Sequence, residues 1–238
     1  MLRTQQHITK RLLLKAYDLY CWFCYPLYKK IEIESMCVSI SDLSIVPPIL
    51  FSQALLDGEL LGKRILDIGT GCGIIALFAK KKRAAYVLGV DINDVAISNA
   101  ETNLKNNFND LLGIEFKQSD LYDKVNGQFD IIVSNPPFLR VPPLSKNDYK
   151  FCGGRMLEDL LCEGKEYLTP KGEIRILHPS SERSHLTRLS SKYGYVLQTL
   201  EYTPSPETLL LRLLLRLRTN PKLNMYIFKI HDADLVLH

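Results

Sequence analysis

From residue 64 onward, short apolar runs alternate with stretches of helical period, and this alternation constrains the fold more than any other feature of the chain. Runs at residues 65–68, 86–90, 114–118, 129–134 and 173–177 have strand length and strand composition. Helical patterns at 74–81, 93–106, 156–167 and 181–192 lie between or after them. Two further strand runs, 195–202 and 225–231, close the series. Parallel strands need crossover connections, so strands alternating with helices predict a mostly parallel α/β sheet covered on both faces. Asn93 suits an N-cap, with Asp94 in the first turn behind it.

The first residues read differently. Residues 8–28 have helical period and carry Tyr17, Tyr20, Trp22, Phe23, Tyr25 and Tyr28. Such a stripe is packing surface in the first reading and a substrate-docking face in the second. Residues 31–44 alternate and are expected to be extended, and a Pro47-Pro48 break leads into a helix at 49–56. The expected division is a helical and extended substrate-side segment, 1–45, followed by one domain, 46–238. The leucine-rich stretch 209–217, with Arg212 and Arg216 one turn apart, reads as a short amphipathic helix on the sheet; a lid or dimer surface is the alternative.

Charge narrows the function classes. The net charge is +4, and no dense Lys/Arg stripe appears, so a nucleic-acid partner is allowed but not demanded. The densest basic tract, Lys80-Lys81-Lys82-Arg83, falls at a helix end, where cations favour the helix dipole. The six cysteines, Cys21, Cys24, Cys37, Cys72, Cys152 and Cys162, show no disulfide spacing. Cys21 and Cys24 form a lone C-x-x-C with no second pair, so buried thiols are expected and no metal site. The apolar stretch at 19–28 is too short to span a bilayer, and there is no secretory signal. A cytoplasmic soluble protein is expected; oligomeric state is left open.

Chemistry concentrates at two places. The strand run Asp130-Ile131-Ile132-Val133-Ser134 stops at Asn135-Pro136-Pro137-Phe138. Two prolines donate no ladder hydrogen bonds and fix φ, so they stiffen the backbone where the strand ends. The Asn135 side-chain oxygen and the Pro136 carbonyl can accept from an –NH2, and a Phe138 ring can stack on the flat group that carries it. Read alone, the tetrad is equally a strand terminator. The second place is Asp67-Ile68-Gly69-Thr70-Gly71-Cys72-Gly73, between the first sheet strand and its helix. Glycines there let the backbone approach a ligand, but the spacing is G-x-G-x-G and not the dinucleotide fingerprint. Asp91 ends the second strand, placed to accept from both hydroxyls of a ribose. Asp120, just past the third, either meets an adenine amino group or is a turn residue. All of these fall at carboxyl ends of successive strands, where open α/β sheets bind ligands. His178, at the end of the fifth strand, is read as structural.

These residues resemble the class I S-adenosylmethionine-dependent methyltransferases, over about residues 47–230. Within that class the chain is most similar to the small-domain branch, which holds HemK-type glutamine methyltransferases and several ribosomal- and transfer-RNA base methyltransferases. The resemblance implies a Rossmann-like, seven-stranded, mostly parallel sheet with helices on both faces and a short helical N-terminal extension. It implies that Asp67, Gly69, Thr70, Gly71, Gly73, Asp91, Ile92, Asp120, Leu121 and Asn135 hold S-adenosyl-L-methionine. It also implies that Asn135, Pro136 and Phe138 act on the methyl acceptor. Gly153-Gly154 is similar to an element that follows the tetrad in HemK-type enzymes. Pro48 and Ser52 stand where the family often has a Pro-x-x-x-Thr element, with Phe51 in place of an acid. The expected activity is N-methylation of a planar nitrogen, first a protein glutamine amide. A nucleobase amine on ribosomal or transfer RNA, a small molecule, and a non-catalytic cofactor-binding scaffold are the alternatives.

Overall fold

The apolar runs build a seven-stranded sheet in the order β5-β4-β3-β6-β7-β9-β8. Its strands are β3 (Arg64–Ile68), β4 (Tyr86–Asp91), β5 (Ile114–Gln118), β6 (Phe129–Ser134), β7 (Leu168–Pro179), β8 (Tyr195–Glu201) and β9 (Leu223–Ile230). A separate antiparallel hairpin, β1 (Lys30–Ile33) and β2 (Met36–Ser39), precedes them. Among the described residues the α-helices are α1 (Ile74–Lys81), α2 (Asp94–Asn107), α3 (Met156–Glu163) and α4 (Arg183–Lys192). The computed structural model describes residues 30–33, 35–40, 54–137, 153–201 and 223–230. The aromatic stretch 8–28, the segment with Pro47, Pro48, Phe51 and Ser52, Phe138, and the stretch 209–217 lie outside the described residues.

Strands β3 to β7 are parallel neighbours where they pair, as the helical crossovers require. Alternate strand residues then face opposite layers. Ile65, Val87, Ile131 and Val133 bury against α1 and α2, together with Met36, Val38 and Ile40 of the hairpin. Leu66, Leu88, Ile132, Ile174 and Ile176 bury against Leu157, Leu160 and Leu161 of α3 and Leu186 and Leu189 of α4. Burying each such aliphatic side chain contributes about 1.5–3 kcal/mol, and this two-sided layer holds the strand tips in one plane.

The structure changes four expectations. Residues 31–44 are not one extended run: Ser35, at φ 68, reverses the chain into the β1–β2 hairpin. The helix expected to reach 167 ends at Glu163 and tightens into a 3₁₀ turn, Gly164–Tyr167. A Cβ at Gly164 would stand 2.6 Å from Ile174 Cδ1, so the chain narrows there to pass over the sheet. The helix expected from 181 starts at Arg183, after a 3₁₀ turn at Ser180–Glu182. Strand β7 is much longer than 173–177, because Pro170-Lys171-Gly172 is absorbed as an irregularity while Leu168 already pairs with Phe129. At the far side β9 inserts antiparallel between β7 and β8. The α4 crossover brings β8 back parallel to β7, and β9 fills the gap. Among the described residues no helix is long and apolar enough to cross a membrane.

Candidate active site

The glycine turn is held by its own backbone. The Gly69 and Thr70 N–H groups both donate to the Val90 carbonyl at 2.9 Å, tying the end of β3 to the end of β4. Gly73 N–H closes the turn on the Thr70 carbonyl at 2.9 Å. Gly69, Gly71 and Gly73 have φ of +74°, +55° and +82°, a region that side chains with a Cβ rarely adopt. Gly73 also lacks room for one, since a Cβ would lie 2.9 Å from that of Ala100 on α2.

Asp91 sits at the tip of β4 and faces this turn. Its Oδ2 accepts from Gly71 N–H at 2.9 Å and its Oδ1 from Asn93 N–H at 3.0 Å. A carboxylate offers about four acceptor sites, so two such bonds leave capacity for a pair of hydroxyls. Asn93 caps α2 by accepting from Val95 N–H at 3.0 Å, as its sequence position indicates. The tip of β5 joins the group through Ser119 N–H, which donates to the Asp91 carbonyl at 2.9 Å. Beyond it Asp120 is exposed and Leu121 is half-buried with φ 44. Ile92 turns an apolar side chain outward beside them, 36% exposed.

Asp67 lies beneath the turn with no exposure to solvent. Its Oδ2 accepts from the Thr70 hydroxyl at 2.7 Å. Burial pushes its pKa up to about 7, and the nearby Asp91 charge adds to the rise. The Thr70 hydroxyl and the Ala76 N–H oppose it, the latter near enough to stabilise the charge without a full hydrogen bond to the buried Oδ1. A group poised there holds a proton or a negative charge close to neutrality.

The Asn-Pro-Pro segment leaves β6 beside this turn. β3 and β6 are paired neighbours, with Ile68 opposite Ser134. The Ser134 hydroxyl donates to the Ile68 carbonyl at 2.8 Å, pinning the two tips together one residue before Asn135. Asn135 is half-buried and Pro136 buried. The Asn135 Oδ1 is buried without a hydrogen-bond partner among the described residues. Leaving such an acceptor unmet costs about 1–3 kcal/mol. Gly153 lies against the Pro137 carbonyl, where a Cβ would come within 2.9 Å. Its own carbonyl accepts from Met156 N–H at 2.6 Å, and the Met156 side chain reaches over Gly69.

The predicted site residues Asp67, Gly69, Thr70, Gly71, Gly73 and Asp91 therefore share one turn and its neighbouring strand tip. Ile92, Asp120 and Leu121 sit along the β4–β5 tips, and Asn135 and Pro136 on the other flank of β3. Phe138 lies outside the described residues. Sequence reasoning missed Ser134, Met156 and Asn103, whose side-chain Nδ2 donates to the Cys72 carbonyl inside the turn at 2.9 Å. Only Met156 carried a signal, its place just after Gly153-Gly154. The donor set suits the expected cofactor: a glycine backbone, a carboxylate for ribose hydroxyls, and an apolar side chain and an acid at the adjoining strand tips.

Comparison with known proteins agrees with this fold. A putative protein N5-glutamine methyltransferase of Methanocaldococcus jannaschii is 37% identical over 131 residues, 51% of this chain and 64% of that protein. The chain thus spans under two thirds of that relative's length. A tRNA1(Val) (adenine(37)-N6)-methyltransferase of Parabacteroides distasonis is 30% identical over 180 residues, 69% of this chain and 76% of that protein. A solved methyltransferase from Pyrococcus furiosus shares the fold, with a TM-score of 0.61 over 91% of this chain and 98% of that one, at 20% identity. The family model described as the methyltransferase small domain matches residues 49–202, from before the glycine turn to the end of β8. With its strand order, its turn and its Asn-Pro-Pro tip accounted for, the chain belongs to the methyltransferase small-domain family.

Proposed function

We propose that this chain transfers a methyl group from S-adenosylmethionine to a planar nitrogen, with a protein glutamine side-chain amide as the acceptor. The observation that carries this reading is the buried Asn135 Oδ1, without a hydrogen-bond partner among the described residues, at a strand tip pinned beside the glycine turn. Asp91, the backbone from Gly69 to Gly73, Asp67, Ile92, Asp120 and Leu121 would hold the cofactor. When bound, S-adenosylmethionine supplies a methyl group on a sulfonium, already a strong electrophile. The chain's own residues then have a positioning task. The Asn135 Oδ1 accepts one N–H of the acceptor and the Pro136 carbonyl the other, which turns the nitrogen lone pair out of the line of both bonds. The two prolines keep those acceptors from rotating away. Phe138, by its place in the tetrad, would stack on the plane of the amide. Positioning of this kind lowers a barrier by several kcal/mol without any strong base. As the nitrogen–carbon bond forms the sulfur–carbon bond breaks, the thioether leaves, and the now acidic nitrogen gives one of its protons to water.

Two observations favour a protein over an RNA acceptor. The M. jannaschii relative is named for glutamine methylation. In addition, carboxylates crowd the β5 side of the site. The exposed Glu163 carboxyl is held above its ordinary range by partial desolvation first, then by the charges of Asp159, Asp123, Glu166 and Asp120. A polyanionic backbone is repelled from such a rim. The second reading, an adenine amine on tRNA, is favoured by the P. distasonis relative, which matches over more of the chain. We place the protein in the cytoplasm, where both acceptors occur.

The test is methyl transfer from labelled S-adenosylmethionine into a purified peptide-release factor and, separately, into total tRNA. Label in the protein that survives nuclease and is lost on Asn135→Ala is the expected outcome. Label only in tRNA would replace the first reading with the second. Label in neither, from a chain that binds the cofactor, would overturn both.

A further inference from the structure

We infer that Asn103 is a positioning residue for the cofactor turn, and that through it the N-terminal hairpin and the cofactor site are energetically coupled; this rests on the cofactor reading above. Asn99, Asn103 and Asn107 occupy one face of α2 at successive turns. Four helical residues rise about 6 Å. Two strand residues rise about 6.6–6.8 Å. The side chains can therefore keep step with alternate residues of a strand laid along the helix, and β2 is that strand.

The Asn107 Oδ1 accepts from Cys37 N–H at 2.7 Å, and its Nδ2 donates to the Cys37 carbonyl at 2.9 Å. The Asn103 Oδ1 accepts from Ser39 N–H at 2.8 Å, and its Nδ2 donates to the Ser39 carbonyl at 2.8 Å. Asn99 adds a third contact, from Nδ2 to the Ser39 carbonyl at 3.1 Å. Each of the two lower amides reproduces both bonds that a neighbouring strand would make. The hairpin is thus a β-ribbon whose outer edge is paired by a helix. Unpaired edges invite other strands, and this one is closed by side chains.

Asn103 does more than its neighbours. It is fully buried, and its second Nδ2 hydrogen goes to the Cys72 carbonyl at 2.9 Å, between Gly71 and Gly73. One amide therefore spends its Oδ1 and both of its Nδ2 hydrogens on the hairpin edge and the cofactor turn together. The turn has little slack on that side, because Gly73 already stands against Ala100 one turn earlier on α2. Shifting the hairpin shifts the Asn103 amide, and with it the carbonyl that sets the orientation of Gly71 and Gly73. By linkage, a cofactor that fixes the turn must tighten the hairpin by the same factor.

Two measurements test this. Asn103→Leu keeps the volume and removes every donor and acceptor. It should weaken binding of S-adenosylhomocysteine about tenfold and raise the KM for S-adenosylmethionine similarly, with kcat at saturation changed less than about threefold. Asn107→Ala removes the Cys37 contacts and the Nδ2 bond to the Asn103 main-chain carbonyl at 2.7 Å but leaves the Asn103 amide its bonds to Ser39 and Cys72, and should speed amide exchange at Cys37 while weakening cofactor binding less than Asn103→Leu does. In the unaltered chain, S-adenosylhomocysteine should slow amide exchange at Ser39 and Cys37, a readout that needs no variant to fold. Wild-type affinity in Asn103→Leu, or exchange at Ser39 unmoved by ligand, would overturn the coupling while leaving the cofactor reading intact. No binding of S-adenosylhomocysteine by the unaltered chain would overturn the cofactor reading and the coupling with it.

Discussion

On the function proposed here, the two flanks of β3 are prepared for their ligands in opposite ways. On the β4 side the backbone of the turn is largely tied down, with Gly69 and Thr70 N–H bonded to Val90, Gly71 N–H to Asp91 and the Cys72 carbonyl to Asn103, while the buried Asp67 Oδ1 beneath it has no hydrogen-bond partner among the described residues. On the β6 side the Ser134 hydroxyl pins the strand tip, yet the next residue presents a buried acceptor with no partner among the described residues. A cofactor held by many weak contacts profits from a shape made in advance. An acceptor that must be turned until its lone pair points one way profits from a single strong demand left unmet. Preorganisation of the first flank and hydrogen-bond hunger of the second are both forms of positioning, and they fail differently when disturbed.

The largest expected effect lies on the cofactor flank and concerns stability. Asp67 has a folded pKa of about 7 against an ordinary 3.8, raised mainly by burial. The folded chain keeps a proton that the unfolded chain releases. Its favourable contribution is therefore complete below the ordinary value and is lost as pH climbs to the folded one. Denaturant midpoints should fall between pH 4 and 7 by the equivalent of up to about 4 kcal/mol, and Asp67→Asn should flatten that slope. A rising slope would contradict the assignment. Next comes Asn135→Ala on the other flank. It is expected to lower kcat by about 10²–10³-fold while the affinity for S-adenosylhomocysteine moves by less than about threefold. Asp91→Ala should show the reverse pattern, with affinity about a hundredfold weaker, near 2.7 kcal/mol, read by calorimetry. The contrast between these two variants is the comparison in kinetic form, and matching losses in both would erase it. The smallest effect is Asn93→Ala. Removing that cap costs about 1 kcal/mol in thermal unfolding and little in binding, because the Asp91 carboxylate remains in place.

What could be read from the residues beforehand followed from local physics. Apolar runs such as 65–68 and 129–134 announce buried strands because both faces of a central parallel strand must be apolar. The glycine turn and Asn93 announce themselves because few residues tolerate those positions. The hairpin was hidden because Ser35 reverses the chain with no glycine or proline to mark it. The start of β7 was hidden because Pro170-Lys171-Gly172 has turn composition and bulges out of register, and only the Leu168–Phe129 pairing on its far side makes Leu168 part of the strand. The insertion of β9 depends on a gap left by the α4 crossover, which no local pattern records. At the site, Asn103 gave no signal, since a polar residue in a helix is ordinary and its partners lie 31 and 64 residues away. The unmet acceptor of Asn135 became visible only when the surrounding tips were in place.

One measurement bears most directly on that unmet acceptor: a crystal structure of the chain with S-adenosylhomocysteine and a glutamine-containing peptide. The Asn135 Oδ1 should lie about 2.7–3.2 Å from the glutamine amide nitrogen, with the thioether sulfur facing that nitrogen from the glycine-turn side. An Asn135 amide bonded within the protein, with the glutamine nitrogen held elsewhere, would contradict the assignment of this strand tip as the acceptor grip.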